Sequence, residues 1–408
     1  MDARLLEVIV EYASQGAHRA GTQEDDASSS WLARRMILAG APTPPQAESF
    51  DLRRRDVLAA ALTVYEPDGP WVVPGVPLYD CAKYTDMQGE TGVLGVVGEQ
   101  CKIALFEYSE RSQLADGFEE GRRDHAAMVA VYAPKPDGLD GLPLCNASHF
   151  GTGGIGCPVL QVSSHHLQRL RAAASQGMNA RLVACMREVE GQAVNVSAEV
   201  PGSDASLSPV VVMTPRSGWW SCAVERASGI AAFLEILRAV SHSKTERTVL
   251  FFANTGHELG HAGMQALCEQ RPDVFGKAHL CFHIGANWCS GDVAPSGPVA
   301  WLQTSSHELE TQALDAFKRQ NVDSEKFNCI SEGTWPKGEA QQLFKRGARY
   351  VSMIGVGNKR FHMDSDSEPS VDLDLLGQCT STFINLVLEA AGTQSAPANH
   401  PKRPRARD

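Results

Sequence analysis

The sequence contains no long apolar run. None of its 408 residues lie in a segment of about 18 consecutive apolar residues, the length that a membrane-spanning helix requires. The first 14 residues form an amphipathic pattern with charges at Asp2, Arg4, Glu7 and Glu11, and they lack the apolar core of a secretory signal. We therefore expect a protein that does not enter a membrane and is cytoplasmic.

An excess of positive charge is also absent. The chain has 37 Lys and Arg residues against 48 Asp and Glu residues, which gives a formal net charge of -11. Nucleic-acid binding needs a concentrated basic face that neutralises phosphates. We therefore expect no nucleic-acid partner and a small molecule or short peptide as substrate. Assembly into a homo-oligomer is compatible with this composition.

Closely spaced cysteine pairs are absent as well. The 11 cysteines are scattered along the chain, and no CxxC pair occurs. A zinc knuckle needs such a pair, and an odd, scattered set of cysteines is typical of a reducing compartment. We expect free, mostly buried thiols.

Four regions follow from changes in composition along the chain. Residues 1–56 have helical periodicity and a Gly/Pro-rich turn at 40–45, so they predict an N-terminal helical part of the main domain. Residues 57–205 contain short β-rich runs between glycine and proline turns. In residues 206–393 strands and helices alternate, which predicts an α/β sheet flanked by helices. Residues 394–408 are basic and contain proline, which predicts a disordered tail.

The segment from His257 to His261 reads His-Glu-Leu-Gly-His and matches HExxH. In that motif two histidines one helical turn apart bind zinc, and the glutamate is the base. The motif must lie within a helix, whereas here it directly follows the predicted strand 248–254. The extended metzincin form also fails, because Met264 stands where its glycine belongs. A zincin is therefore the alternative interpretation, and a site at the carboxyl end of a strand is the favoured one.

Polar residues follow four predicted strands, at 214–226, 257–258, 283–287 and 361–364. Their order and character resemble the M28 zinc aminopeptidase family along nearly the whole chain, and the family's Ala-Ser-Gly helix start is intact at 227–229. The resemblance implies a three-layer α/β/α zinc-peptidase (phosphorylase/hydrolase-like) fold with a mixed central sheet. Segment 157–175 resembles part of a protease-associated (PA) domain, so residues 57–205 would be a β-rich PA-like inserted domain.

The resemblance also implies metal ligands, although several positions depart from the family pattern. The family has a His-x-Asp triplet, a bridging Asp, a Glu-Glu pair of general base and ligand, a later Asp ligand, and a His followed four residues on by Asp. The corresponding residues are Pro215-Arg216-Ser217, Glu225, His257-Glu258, His283, and His362 with Asp366.

Three ligands of one metal remain in this pattern, namely Glu225, Glu258 and His362, with a fourth position for water or substrate. We therefore expect one Zn²⁺ per chain, although such nitrogen and oxygen ligands also accept other divalent metals. His283 is a remnant ligand of the second site, or alternatively a hydrogen-bonded core histidine.

The other candidate residues take supporting roles. His257 is the predicted general base, since the ordinary histidine pKa is close to neutral pH. Arg216 and Ser217 are candidates for binding a substrate carboxylate. Trp219 and Trp220 either line the substrate pocket or pack between the loops and the sheet. Asp366 and Glu339 are expected to support the ligands.

These roles predict a single-zinc hydrolase, aminopeptidase-like or amidohydrolase-like, that cleaves an amide or peptide-like bond of a small substrate. One alternative is a metal-free pseudo-peptidase with a binding or scaffold role, in which Arg216 pairs with Glu225 and fills the vacated metal site. Another is a zinc-dependent cyclase or lyase acting on an amino-acid derivative.

Overall fold

The computed structural model describes residues 1–393 except 80–81, 111–112, 115, 118–123, 137, 147–154, 294–296 and 331. The predicted tail at 394–408 lies outside these described residues. No helix in the described part of the chain is long and apolar enough to cross a membrane.

Helices and strands alternate along most of the chain. The helices are α1 (Asp2–Ala13), α2 (Gln23–Leu38), α3 (Leu167–Ser175), α4 (Ser228–Ser241), α5 (Ala262–Gln270), α6 (His307–Arg319), α7 (Ala340–Lys345) and α8 (Leu373–Ala390). The strands are β1 (Gln46–Glu66), β2 (Gly69–Pro77), β3 (Ala82–Lys83), β4 (Glu90–Val96), β5 (Ile103–Tyr108), β6 (Ala127–Tyr132), β7 (Ile155–Val162), β8 (Asn179–Val200), β9 (Val210–Pro215), β10 (Val249–Asn254), β11 (Leu280–Ile284), β12 (Ala300–Thr304), β13 (Phe327–Ile330) and β14 (Tyr350–Gly355).

The C-terminal half is built on a mixed sheet with the strand order β8-β10-β9-β11-β14-β12-β13. The four strands β10, β9, β11 and β14 are parallel, whereas β8 and β12 run antiparallel to their neighbours β10 and β14. Strands such as β9 are buried at every residue, as expected for parallel strands covered on both faces. One apolar cluster packs α1, α4, α6 and α8 against the sheet, and another packs α5 and α7. The predicted three-layer α/β/α fold is confirmed.

The β-rich region forms a ring of strands. Pairing of β1 with both β2 and β8 closes the path β1-β2-β7-β6-β5-β4-β8 on itself. An apolar cluster that includes residues of α3 fills this part of the molecule. The β-rich character of 57–205 is therefore as expected, while its relation to PA domains stays a prediction.

Strand β1 starts earlier than the sequence predicts. Residues 46–51, expected in the helical N-terminal part, already pair with β8, and β1 continues across the predicted boundary at 56/57. The charged run from Arg53 to Asp56 lacks the apolar pattern typical of a strand, but two of its arginines pair with a glutamate on the neighbouring strand β8. Arg53 Nε lies 3.2 Å from Glu188 Oε1, and Arg55 Nη2 lies 3.8 Å from Glu188 Oε2. Cross-strand ion pairs of this kind stabilise a sheet pair that has few apolar residues.

Candidate functional site

The candidate site lies where the parallel strands β9, β10, β11 and β14 end. The carboxyl ends of parallel strands meet at one edge of a sheet, which is where α/β proteins bind ligands. The four predicted metal-binding residues lie at or just beyond this edge, each 1% exposed: Glu225, Glu258, His283 and His362. Cys222, His261 and His362 adopt positive φ angles of 51°, 66° and 64°. Such backbone strain in non-glycine residues is concentrated at functional sites.

The HExxH segment is not helical. Residues His257–Leu259 form a single 3-10 turn, and Gly260 and His261 follow with φ angles of 73° and 66°. Helix α5 starts only at Ala262. The two histidines therefore do not lie one helical turn apart on a helix face, and the zincin interpretation is wrong.

Glu258 is held by hydrogen bonds within the protein. Its Oε1 accepts from the backbone N of Ala20 at 2.7 Å, and its Oε2 accepts from Ser217 Oγ at 2.7 Å. Ser217 Oγ also accepts from the backbone N of Gly256 at 2.7 Å and of His257 at 3.2 Å. Burial raises the pKa of Glu258, and the hydrogen bonds from Ala20 and Ser217 oppose this rise. Ser217 therefore ties the end of β9 to the end of β10 at a position where the resemblance implies a metal-site residue.

Arg216 points to the N-terminal region. Its guanidinium pairs with Asp25 at 2.6 Å between Nη1 and Oδ1, and both side chains are fully buried. The same guanidinium donates to the carbonyl oxygens of Asp25 and Val194. Asp25 also accepts from Thr255 Oγ1 and from the backbone N of Gly21. The predicted pairing of Arg216 with Glu225, and its proposed contact with substrate, are not what the structure shows for this side chain.

A different arginine reaches Glu225. Arg226 Nη2 lies 2.9 Å from Glu225 Oε1, and its Nε donates to the carbonyl oxygen of Ser217 at 2.6 Å. Glu225 Oε1 is also 3.4 Å from His362 Nε2. Burial alone would lower the pKa of Arg226, but the carboxylate of Glu225 together with nearby Cys222, Tyr12 and Glu258 outweighs this and raises it. A buried ion pair thus includes one predicted ligand, Glu225, and lies beside a second, His362.

His362 is oriented by the β-rich region. Its Nδ1 lies 2.7 Å from the carbonyl oxygen of Leu144, which can only accept, so Nδ1 carries the proton. The carbonyl oxygen of His362 in turn accepts from the backbone N of Leu144 and from Trp220 Nε1. This fixes Nε2 as the nitrogen that faces Glu225.

Three histidines lie around Glu339. His257 Nδ1 is 3.6 Å from Glu339 Oε1, and His283 Nε2 is 3.9 Å from Glu339 Oε2. The rings of His257 and His261 are 4.7 Å apart. Burial lowers the pKa of both His261 and His283 to about 4, so both are neutral at pH 7. Glu339 is fully buried, and within the part of the chain that the structure describes neither of its carboxylate oxygens accepts a hydrogen bond, so they face the imidazoles at longer distances.

Asp366 and the tryptophans are structural neighbours of this edge. Asp366 accepts from the backbone N of Val224 and Glu225, both at 3.0 Å. Burial raises the pKa of Asp366 to about 7, and these two donors limit the rise. Trp219 stacks on Tyr79 with ring centroids 4.9 Å apart and donates to Asn146 at 2.7 Å. Both tryptophans have packing and hydrogen-bonding roles here, and contact with substrate stays a prediction.

The predicted metal set does not fit a metal ion in this arrangement. Glu258 is engaged with two donors, and Glu225 faces a guanidinium that carries the same sign of charge as a metal. Among the described residues, no group of three or more His, Cys, Asp or Glu side chains is placed to hold a metal ion. We therefore assign no reaction step to a metal.

Arg226 is the site residue that sequence reasoning missed. The signal was present, because Arg226 directly precedes the intact Ala-Ser-Gly helix start and follows another charged residue, Glu225. Such a residue is buried at the beginning of α4 and must therefore have a partner nearby.

Comparison with known proteins agrees with this fold. The model of peptidase family M28 matches residues 210–387. A search of curated proteins finds no match. The resemblance to M28 aminopeptidases is thereby confirmed for the α/β part of the chain.

Solved structures match over nearly the whole chain. BSAP, a zinc aminopeptidase from Bacillus subtilis, has a TM-score of 0.77 at 16% identity, covering 97% of this chain and 96% of its own. An aminopeptidase from Aneurinibacillus sp. strain AM-1 has a TM-score of 0.65 at 15% identity, covering 99% and 98%. A peptidase M28 precursor from Shewanella amazonensis has a TM-score of 0.69 at 14% identity, covering 100% of both chains. At these identities the likeness establishes the fold.

Proposed function

We propose that this chain, whose α/β part matches peptidase family M28, hydrolyses an amide or peptide-like bond of a small substrate at the carboxyl edge of its parallel strands. The family match and the zinc-aminopeptidase neighbours support a hydrolase of the zinc-peptidase type. The observation that carries the proposal for this chain is the pair of His257 Nδ1 and Glu339 Oε1, 3.6 Å apart, at the position of the family's general base.

His257 is more accessible than the predicted metal-binding residues. It is 8% exposed, whereas Glu225, Glu258, His283 and His362 are each 1% exposed. Leu259, Gly260 and His261 next to it are partly exposed, so substrate approaches from this loop.

In the proposed reaction, His257 removes a proton from the attacking water and returns it to the leaving amine. A carboxylate beside the other ring nitrogen orients the imidazole and stabilises it when it is protonated, as in other histidine bases. Glu339 is therefore a positioning residue. A general base contributes about 10²-fold to 10⁴-fold to the rate.

The test is turnover on a panel of aminoacyl amides and short peptides, followed by mass spectrometry of the products. His257→Ala should lower kcat/KM by about 10²-fold or more. His307→Ala is the matched control, because His307 also faces a glutamate, Glu310 at 3.7 Å, but is 84% exposed on α6. Equal rates for both variants and wild type would remove His257 from the mechanism, and the absence of any amide hydrolysis would refute the proposed function.

The second candidate is a metal-free binding protein of the pseudo-peptidase kind. The buried pair of Arg226 and Glu225 favours it, because this pair stands where the resemblance places metal ligands. Saturable binding of a peptide or amide without product formation would favour this candidate over the hydrolase.

A further inference from the structure

We infer that the Arg226 guanidinium takes the place of a metal ion beside Glu225 and His362, so that this position excludes zinc until Arg226 is replaced. The inference goes beyond the proposed function, because it concerns metal occupancy and is measured without turnover.

The first support is the fixed position of the guanidinium. Arg226 is fully buried and makes three contacts, through Nη2 to Glu225 Oε1, through Nε to the Ser217 carbonyl at 2.6 Å and through Nη1 to the Glu225 carbonyl at 3.1 Å. Two of these contacts are to backbone oxygens that do not move independently of the loop. The charge is therefore held in one place.

The second support is distance. A zinc ion bound to Glu225 Oε1 would lie about 2.0–2.2 Å from that oxygen. Since Arg226 Nη2 lies 2.9 Å from the same oxygen, the metal and this nitrogen would be no more than about 5 Å apart. Two positive charges at this distance in a water-poor interior repel strongly. Zinc could bind only if the guanidinium left.

The third support is that the described part of the chain offers the guanidinium no other carboxylate to pair with. Leaving Glu225 would place a buried arginine away from the only carboxylate within ion-pair distance of it in the described part of the chain. Zinc would therefore have to break several buried interactions at once. Glu258, the third predicted ligand, accepts one hydrogen bond at each oxygen and keeps further lone pairs, so it does not bar a metal once the guanidinium is removed.

The test is zinc content by elemental analysis, after incubation with zinc and desalting, for full-length wild type, Arg226→Lys and Arg226→Asn. Arg226→Lys keeps the charge and is the matched control. We expect substoichiometric zinc in wild type and in Arg226→Lys, and about one zinc per chain in Arg226→Asn. Chelator competition should show at least about 100-fold tighter zinc binding in Arg226→Asn than in wild type.

A second variant locates the gained metal. Adding Glu225→Gln to Arg226→Asn should abolish the gain, because the amide is a poor zinc ligand. Zinc should also raise the Tm of Arg226→Asn and leave that of wild type unchanged, since a ligand that binds only the folded state stabilises it.

Two results would overturn the inference. One is stoichiometric zinc in wild type that is lost in Glu225→Gln or His362→Ala, a measurement that does not depend on the folding of any Arg226 variant. The other is a folded Arg226→Asn that binds no more zinc than wild type. If wild type binds one zinc per chain and both Glu225→Gln and His362→Ala retain it, the zinc is bound at another site. That result would agree with the inference.

Discussion

The buried pair of Arg216 and Asp25 fastens the N-terminal region to the site, and removing Asp25 should destabilise the whole protein. Both side chains are 0% exposed, and their charged atoms are 2.6 Å apart. Breaking a buried ion pair by deleting one partner costs about 3–5 kcal/mol, because the other charge stays buried and unpaired. Asp25→Ala also removes the acceptor of Thr255 Oγ1 and of the Gly21 backbone N, so we expect the upper end of this range.

The assay is urea denaturation followed in parallel by tryptophan fluorescence and circular dichroism. Asp26→Ala is the matched control, because Asp26 is the next residue in the same first turn of α2 but is exposed. Its free energy of unfolding should change by less than about 1 kcal/mol. The double variant Arg216→Met with Asp25→Ala should recover most of the loss, since no charge is then left unpaired. Equal losses for Asp25→Ala and Asp26→Ala would refute the reasoning.

Two further predictions concern pH and close packing. Burial lowers the pKa of His18 to about 3, below its unfolded value of 6.5, so the unfolded chain binds the extra proton between these pH values and stability is lost as the pH falls below 6.5. The loss from this group is about 2 kcal/mol at pH 5. His18→Gln should remove this loss from the pH dependence of the free energy of unfolding, whereas an unchanged dependence would show that His18 is not the source. Gly355→Ala should destabilise by about 3 kcal/mol or more, because its Cβ would lie 1.6 Å from the carbonyl oxygen of Asn287. Gly276→Ala, with 3.5 Å to the nearest atom, is the control in thermal unfolding, and equal Tm values for the two variants would contradict this steric account.

The strands of the α/β part could be predicted from sequence because they are covered on both faces. The predicted strand at 248–254 matches β10 (Val249–Asn254) to within one residue. A strand buried on both faces is a continuous apolar run bounded by polar residues, and this pattern is distinct in a single sequence. Strand β1 lacks that pattern, since ion pairs with β8 replace apolar contacts along part of its length.

The partners of the site residues could not be predicted, because they depend on contacts between distant parts of the chain. Arg216 meets Asp25 across 191 residues of sequence, and Glu258 meets Ala20 across 238. Local spacing carries no information about such pairs. Local spacing does identify which positions carry polar residues after a strand. The location of His257, Glu258, His283 and His362 around one sheet edge follows from the parallel topology alone.

Those departures from the family pattern that change the charge of the site all change it in the same direction, towards positive. Where the pattern implied by the resemblance has acidic residues, this chain has Ser217, His257 and His283. The guanidinium of Arg226 lies beside the remaining Glu225. Fewer carboxylates and a buried guanidinium make the charge at this edge more positive, which is the direction in which a bound metal ion would change it. Independent loss of single ligands would instead leave carboxylates buried without a counter-charge, at a large cost in stability. If the Arg226 guanidinium takes the place of a metal ion, as we propose, the protein itself supplies the positive charge beside Glu225, while the buried Glu339 faces the imidazoles of His257 and His283.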